Sequence, residues 1–171
     1  MAHEQGTLEA PARLTVGQFL AQWLEDSARP KLRPRTFATY AQVIRSHVEP
    51  SLGHVPLRRL SPQHVQAWLN ERAKSGLSPR TCQHARAILR AALGRALKWG
   101  YVSRNVAALV DSPRVVKHEI KPLSPDQART LLATARDHRY GALITVAVAL
   151  GLRQGEALGL RWADVDLDQG V

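Results

Sequence analysis

The sequence predicts a mainly α protein: a helical bundle over residues 15–110, a linker over 111–123, and a second, mostly helical unit over 124–171. Three observations carry this reading. Ser-Pro pairs stand where helices should start, apolar residues recur at helical spacing between them, and one stretch of mixed charge with two prolines interrupts the pattern.

Residues 1–14 read as a short leader. They lack the basic start and apolar core of a secretory signal. A first helix, about 15–28, opens with Thr15 and Gln18 at capping-box spacing and places Val16, Phe19, Leu20, Trp23 and Leu24 on one face. A second is expected over about 35–48. Ser61-Pro62 starts a third, to about 75, with Val65, Trp68 and Leu69 inward. Ser78-Pro79 starts the longest, to about 99, with a stripe running from Ala85 through Ile88, Leu89, Ala92 and Leu93 to Ala96 and Leu97. In each Ser-Pro pair the hydroxyl caps a free N–H. The proline takes the first helical position, where its missing N–H costs nothing and its φ is already helical. Gly76 and Gly100 stop the third and fourth helices, and a short helix near 103–110 closes the bundle.

The stretch 111–123, DSPRVVKHEIKPL, has no helical stripe and reads as an interdomain linker. Ser124-Pro125, with Gln127 at capping-box spacing, opens the second unit, where helices are expected at about 125–138, 141–152 and 154–159. The mostly apolar run from Ala142 to Leu152 is 11 residues, too short to span a bilayer, so it reads as a buried helix. Leu158, Leu160 and Trp162 read as core. From Trp162 onward, Val165 and Leu167 alternate with Asp164, Asp166 and Asp168, like a strand edge without a partner in the chain. A unit lacking its sheet should expose apolar surface between Leu143 and Leu160.

Charge narrows the function. The net charge of +10 lies entirely in residues 1–110, which hold 16 Lys/Arg against 6 Asp/Glu, whereas 111–171 hold 8 of each. Within 29–98 the ratio is 14 to 2. A basic field confined to one segment implies a polyanionic partner, and the predominance of arginine suits bidentate phosphate contact better than attachment to a membrane surface. The competing reading is a solvated basic surface. A single cysteine, Cys82, forms no internal disulfide and fits a reducing, cytoplasmic setting. The seven histidines are scattered, without zinc-ligand spacing. Asp164, Asp166 and Asp168 begin like an EF-hand loop but lack its glycine and terminal glutamate. Gly151, Gly155 and Gly159 lack the Lys-Ser/Thr of a phosphate loop. No cofactor and no metal are expected.

The most telling stretch is Gly151-Leu152-Arg153-Gln154-Gly155-Glu156-Ala157-Leu158-Gly159-Leu160-Arg161-Trp162-Ala163-Asp164-Val165-Asp166, which sets an arginine at the end of an apolar helix and a glutamate three residues later. It resembles the first catalytic-arginine box of the tyrosine recombinases, the phage-integrase family, although Leu150 stands where that family often has threonine. The resemblance extends through most of the chain. It includes Thr15 to Leu24, Arg35-Thr36-Phe37-Ala38-Thr39-Tyr40 and His47-Val48-Glu49-Pro50-Ser51-Leu52-Gly53. Further on come Leu77 to Thr81, Ala96 to Val102, Asn105-Val106-Ala107 and Pro122 to Ala128.

The resemblance implies a SAM-like core-binding bundle over 15–110, followed by the truncated, mostly helical start of an α+β catalytic domain. In such enzymes the two domains clamp a recombination-site duplex, and the second and fourth helices of the bundle face the major groove. Carried onto this chain, DNA binding falls to Arg33, Arg35, Thr36 and Tyr40 on one helix and to Arg80, Thr81, His84 and Arg86 on the other; Arg90, Arg95 and Lys98 add to the field. Helix N-termini and arginine forks suit such contacts, although a solvated helix face, or for Tyr40 the core, is the competing role. Arg153 is implied to be catalytic, stabilising charge on the non-bridging phosphate oxygens as a tyrosine attacks to form a 3′-phosphotyrosyl link, with Glu156 supporting it. The competing reading of Arg153 is a basic residue answering a helix C-terminal dipole.

The lysine hairpin, His-x-x-Arg box and late nucleophilic tyrosine of the family are not found in this sequence, and Tyr40, Tyr101 and Tyr140 do not match its position. The chain is therefore expected to be an N-terminal fragment of a site-specific recombinase that binds double-stranded DNA and does not cleave it. The full-length enzyme is expected to be bacterial or phage-encoded and to assemble a tetramer on DNA. One alternative is a non-catalytic DNA-binding protein that blocks recombination sites; another is a helical module that binds an acidic protein.

Overall fold

The computed structural model describes residues 13–116 and 119–165, and among these the ordered elements are helical apart from one isolated bridge. The chain divides into two compact units at Val116/Lys117, inside the stretch read as a linker.

In the first unit α1 is Val16–Trp23, α2 is Pro34–Val43, α3 is the short Glu49–Leu52, α4 is Pro62–Lys74 and α5 is Pro79–Lys98. The expected caps form. The Thr15 hydroxyl accepts from Gln18 N–H, and the Gln18 side chain accepts from Thr15 N–H in return. Ser61 and Ser78 accept from His64 and Thr81. Gly76 and Gly100 turn the chain at φ 89° and 75°, values that side chains avoid.

Two features go beyond the expected helices. Both α1 and α2 widen at their ends into single π turns, Leu24–Ala28 and Ile44–Val48. Each closes with an i→i+5 bond, Arg29 N–H to Leu24 O and Glu49 N–H to Ile44 O, and a proline follows at once, Pro30 or Pro50. A proline ring collides with the carbonyl four residues back, and the wider turn makes room for it. Thr15 also pairs with Pro56 in an isolated antiparallel bridge, which sequence periodicity did not show.

The core is one cluster. Phe19, Leu20, Val48, Leu57, Val65, Trp68, Leu69, Ile88, Leu89 and Leu93 are all fully or almost fully buried. Trp68 is its largest member, and its indole N–H donates to His47 O at 2.6 Å, tying α4 to the second π turn. Phe19, Trp99 and Tyr101 pack edge to face at one end. Leu97, expected on the inner stripe, is 43% exposed, because it lies in the last turn of α5, beyond the buried Ala96.

The second unit holds α6, Pro125–Ala135, α7, Gly141–Leu150, and α8, Gln154–Gly159. Ser124 and Gln127 form their capping box. Gly141 starts α7 where a Cβ would collide with the carbonyl oxygens of Ala135 and Arg136. Helices α6 and α7 end earlier than periodicity suggested. α7 stops at Leu150 because Gly151 turns left-handed at φ 65°, and Leu152 N–H bonds back to Ala147 O, a Schellman turn.

Among the described residues of this unit only Ala135, Gly141 and Ala157 are buried. Leu158, Leu160 and Trp162, read as core from sequence, are 65%, 42% and 86% exposed, because nothing within the described unit packs over them. Exposure of the Leu143–Leu160 region is otherwise as expected, with Val148 and Leu150 also open. The run from Ala142 to Leu152, however, read as a buried helix, is not buried: within α7 only Gly141 is, because α6 and α8 cover the helix only in part. Trp162–Asp164 forms a 3₁₀ turn rather than a strand, and the remainder of the expected strand edge, Asp166–Val171, lies outside the described residues.

Candidate nucleic-acid interface and arginine box

α2 opens without a side-chain cap. Arg33 occupies the N-cap position with extended backbone, Pro34 follows, and the Arg33 side chain takes none of the free N–H groups of the first turn. Such a turn is a ready anion seat. Arg33, Arg35 and Thr36 are exposed there, and neither arginine makes an ion pair among the described residues. Arg29 differs: it is paired with Glu25 at 2.8 Å and lies over the Phe37 ring.

The start of α5 is capped by Ser78, whose hydroxyl also meets the Thr81 hydroxyl at 2.8 Å. Arg80 and His84 are exposed and line a shallow depression with Thr81, Gln83 and Ala87. Tyr40 joins the two helices. Its half-buried ring stacks on Trp23 and meets the His84 ring edge-on, both at 6.2 Å between centroids. Through this ring contact α2 meets the first turns of α5.

An open groove of about 700 Å³ runs down α5. Ala87, Ala91 and Gly94 lie along it at helical spacing, with Lys31, Arg86, Arg90, Arg95 and Lys98 among its lining and no acidic residue. A Cβ at Gly94 would meet only Asn105 Nδ2, at 3.6 Å, so packing does not demand glycine there. Sequence reading missed Lys31 and Asn105 as members; Lys31 precedes α2, and only the fold carries it to α5.

Arg86 stands apart from the exposed arginines. It is half-buried, and its terminal nitrogens donate to Ser112 Oγ at 3.1 Å and Val110 O at 2.6 Å. Cys82, one turn earlier, is buried, and burial pushes its thiol pKa up against the opposing charge of Arg72. Cys82 is therefore expected to resist alkylation by iodoacetamide at about pH 8 until the bundle unfolds; modification of the native chain at the rate of a free thiol would contradict its placement.

In the second unit the Gly151 turn carries Arg153 past the end of α7 and sets it as the residue before α8, with φ −69° and ψ 154°. It is thus at the N-terminal, positive end of a helix, and the reading of a base answering a C-terminal dipole does not hold. Glu156 binds it twice, accepting from Arg153 N–H at 2.8 Å and from its guanidinium at 3.1 Å. Arg161 N–H is held in the same way by Asp164, at 3.0 Å. The Arg153 side chain is 87% exposed, so Glu156 orients it without enclosing it. Tyr40 and Tyr101 belong to the first unit's packing, and Tyr140 lies beneath the Arg139 guanidinium. No group of three or more His, Cys, Asp or Glu side chains is placed to hold a metal ion among the described residues, and no described helix is long and apolar enough to cross a membrane.

Comparison with known proteins points one way. Residues 15–73 match the family model described as phage integrase, N-terminal SAM-like domain. An integrase of Saccharopolyspora erythraea is 33% identical over 150 residues, covering 86% of this chain and 34% of the relative. A XerC-like tyrosine recombinase of Caldanaerobacter subterraneus subsp. tengcongensis is 26% identical over 163 residues, covering 91% and 42%. The chain thus spans less than half of each. The solution structure of a phage integrase SAM-like domain from Moorella thermoacetica is similar with a TM-score of 0.53 and 35% identity, covering 64% of this chain and 95% of that one. A lambda integrase dimer bound to a COC′ core site shares the fold at a TM-score of 0.73 and 20% identity, over 89% of this chain and 43% of that one.

Proposed function

Since the chain belongs to the phage-integrase family of tyrosine recombinases, we propose that its first unit grips double-stranded DNA at a recombination site and that Arg153 is the first catalytic arginine of the strand-transfer site. The observation that carries the DNA reading is the meeting of α2 with the first turns of α5. Uncapped N–H groups at α2, free Arg33, Arg35 and Arg80, and a groove without acidic residues leave a polyanion as the fitting occupant. Thr36, Thr81 and His84 stand beside the arginines as uncharged or weakly basic partners for phosphate or base edges, and Tyr40 fixes the spacing between the two helices. Arg90, Arg95 and Lys98 extend the field along α5.

Arg153, oriented through both its backbone and its side chain by Glu156, stabilises the negative charge that builds on the phosphate as a tyrosine attacks. The tyrosine, the remaining catalytic groups and a tetrameric assembly on DNA belong to the proposal for the whole recombinase. Tyr40 and Tyr101 are engaged in packing, which supports neither of them as the nucleophile.

Duplex binding by this chain, followed by fluorescence anisotropy between about 50 and 300 mM salt, is expected to weaken along a log–log line of slope about −0.9 per phosphate neutralised. Salt-insensitive binding, or none beside tight capture of an acidic protein, would contradict the reading. On a nicked duplex that traps covalent intermediates, denaturing gels are expected to show no protein–DNA adduct; an adduct would overturn the binding-only assignment.

A further inference from the structure

The chain does not leave the first unit freely after its last short element, the 3₁₀ turn Val106–Ala108. Val110 is buried in the core cluster, and the side chains of two glutamines and one arginine then hold the next residues against α4 and α5. Gln66 Oε1, on α4, accepts from Asp111 N–H at 3.2 Å. Arg86, on α5, donates to Val110 O at 2.6 Å and to Ser112 Oγ at 3.1 Å. Gln83, one turn earlier, donates to Pro113 O at 2.9 Å. Arg114 is the first residue after this set that is held by no such bond among the described residues.

We propose that Gln66, Gln83 and Arg86 form a clasp that fixes the exit of the chain from the DNA-binding unit, and that Arg86 is a positioning residue rather than a phosphate contact. Two physical points favour this. Arg86 Nε is buried without a partner, a cost that is offset when the two terminal nitrogens bridge acceptors on a segment that has to be held. The acceptors are a main-chain carbonyl and a hydroxyl two positions apart, on Val110 and Ser112, which a planar fork reaches together and a compact lysine ammonium does not. The consequence is a shorter tether. Residues 111–113 of the linker move with the bundle, and releasing them adds about 10 Å of slack for an extended chain. A fixed exit narrows the orientations that the second unit can sample once the first is seated on DNA, which rests on the function proposed above; the clasp itself does not.

The test uses the 171-residue chain with Arg86→Gln and, separately, Gln66→Ala, which removes the acceptor of Asp111 N–H and, besides it, one exposed bond within α4, from Gln66 Nε2 to Asn70 Oδ1. Amide exchange and heteronuclear NOEs are read at Asp111 and Ser112, with Leu89 and Leu93 as core references. In the native chain residues 111 and 112 are expected to be as rigid as α5. In both variants Asp111 exchange is expected to rise roughly tenfold or more and the NOEs to fall, with the core references unchanged. Native-like protection of Asp111 in both variants, or equal acceleration at the core amides, would overturn the clasp. If Arg86→Gln does not fold, Gln66→Ala decides by the same readings. The salt slope of duplex binding tests the other role of Arg86: a fall of about 0.9 in the folded Arg86→Gln chain, the loss of one phosphate contact, would overturn its assignment as a positioning residue.

Discussion

Reversing two charges, Arg35→Glu with Arg80→Glu, is expected to lower duplex affinity roughly a hundredfold, about tenfold for each charge-assisted hydrogen bond to phosphate that the substitution removes. Both side chains are exposed and unpaired, one in the uncapped first turn of α2 and the other at the start of α5, so neither supports the core. The melting temperature should therefore hold, and the salt slope should shrink by about 1.8, two phosphates' worth. Equal weakening on reversing Arg136 and Arg139 of the second unit, or no weakening at the first pair, would mean that net charge rather than this surface governs binding.

The second large effect is on stability. Trp68→Ala is expected to destabilise the first unit by about 4 kcal/mol, the usual cost of removing a fully buried large aromatic, because the ring is only 2% exposed and its N–H holds His47 O. Trp68→Phe keeps most of the ring and abandons the bond, so about 1–2 kcal/mol is expected. Thermal or urea denaturation of the two variants separates packing from hydrogen bonding. A Phe variant as unstable as the Ala variant would place the indole's contribution in the bond to the π turn instead of the cavity.

How much of the fold is legible in the sequence depends on how local the cause is. Helix starts are legible because Ser-Pro and Thr-x-x-Gln capping chemistry acts within four residues, and Thr15, Ser61, Ser78 and Ser124 all cap as read. The π turns are not, although Pro30 and Pro50 mark them afterwards: a proline near a helix end can end the helix, kink it or widen it, and packing within the bundle selects the last. The placement of Arg153 turns on one dihedral. Gly151 could have continued the helix, but its left-handed turn moves the arginine from the end of one helix to the start of the next.

The site divides the same way. Arg33, Arg35 and Arg80 are legible as charges at helix starts. Lys31 and the small-residue run Ala87, Ala91 and Gly94 are not, since a groove is made by two elements and shows in neither alone. The role of Arg86 is hidden because Val110 and Ser112, its partners, lie 24 and 26 residues away. Leu158, Leu160 and Trp162 show the converse case: their apolar character suggests a core, and the described unit supplies no element to cover them.

The central claim, a duplex seated on the joined faces of α2 and α5, is tested most directly by titrating the ¹⁵N-labelled chain with a short duplex and mapping amide shifts at physiological salt. The account predicts the largest shifts at Arg33, Arg35, Thr36 and Tyr40 and at Arg80, Thr81 and His84, declining along α5 toward Lys98. Shifts centred instead on Arg58 and Arg104, exposed bases that line a separate pocket with Leu60 and Tyr101, or spread evenly over all exposed bases, would contradict it.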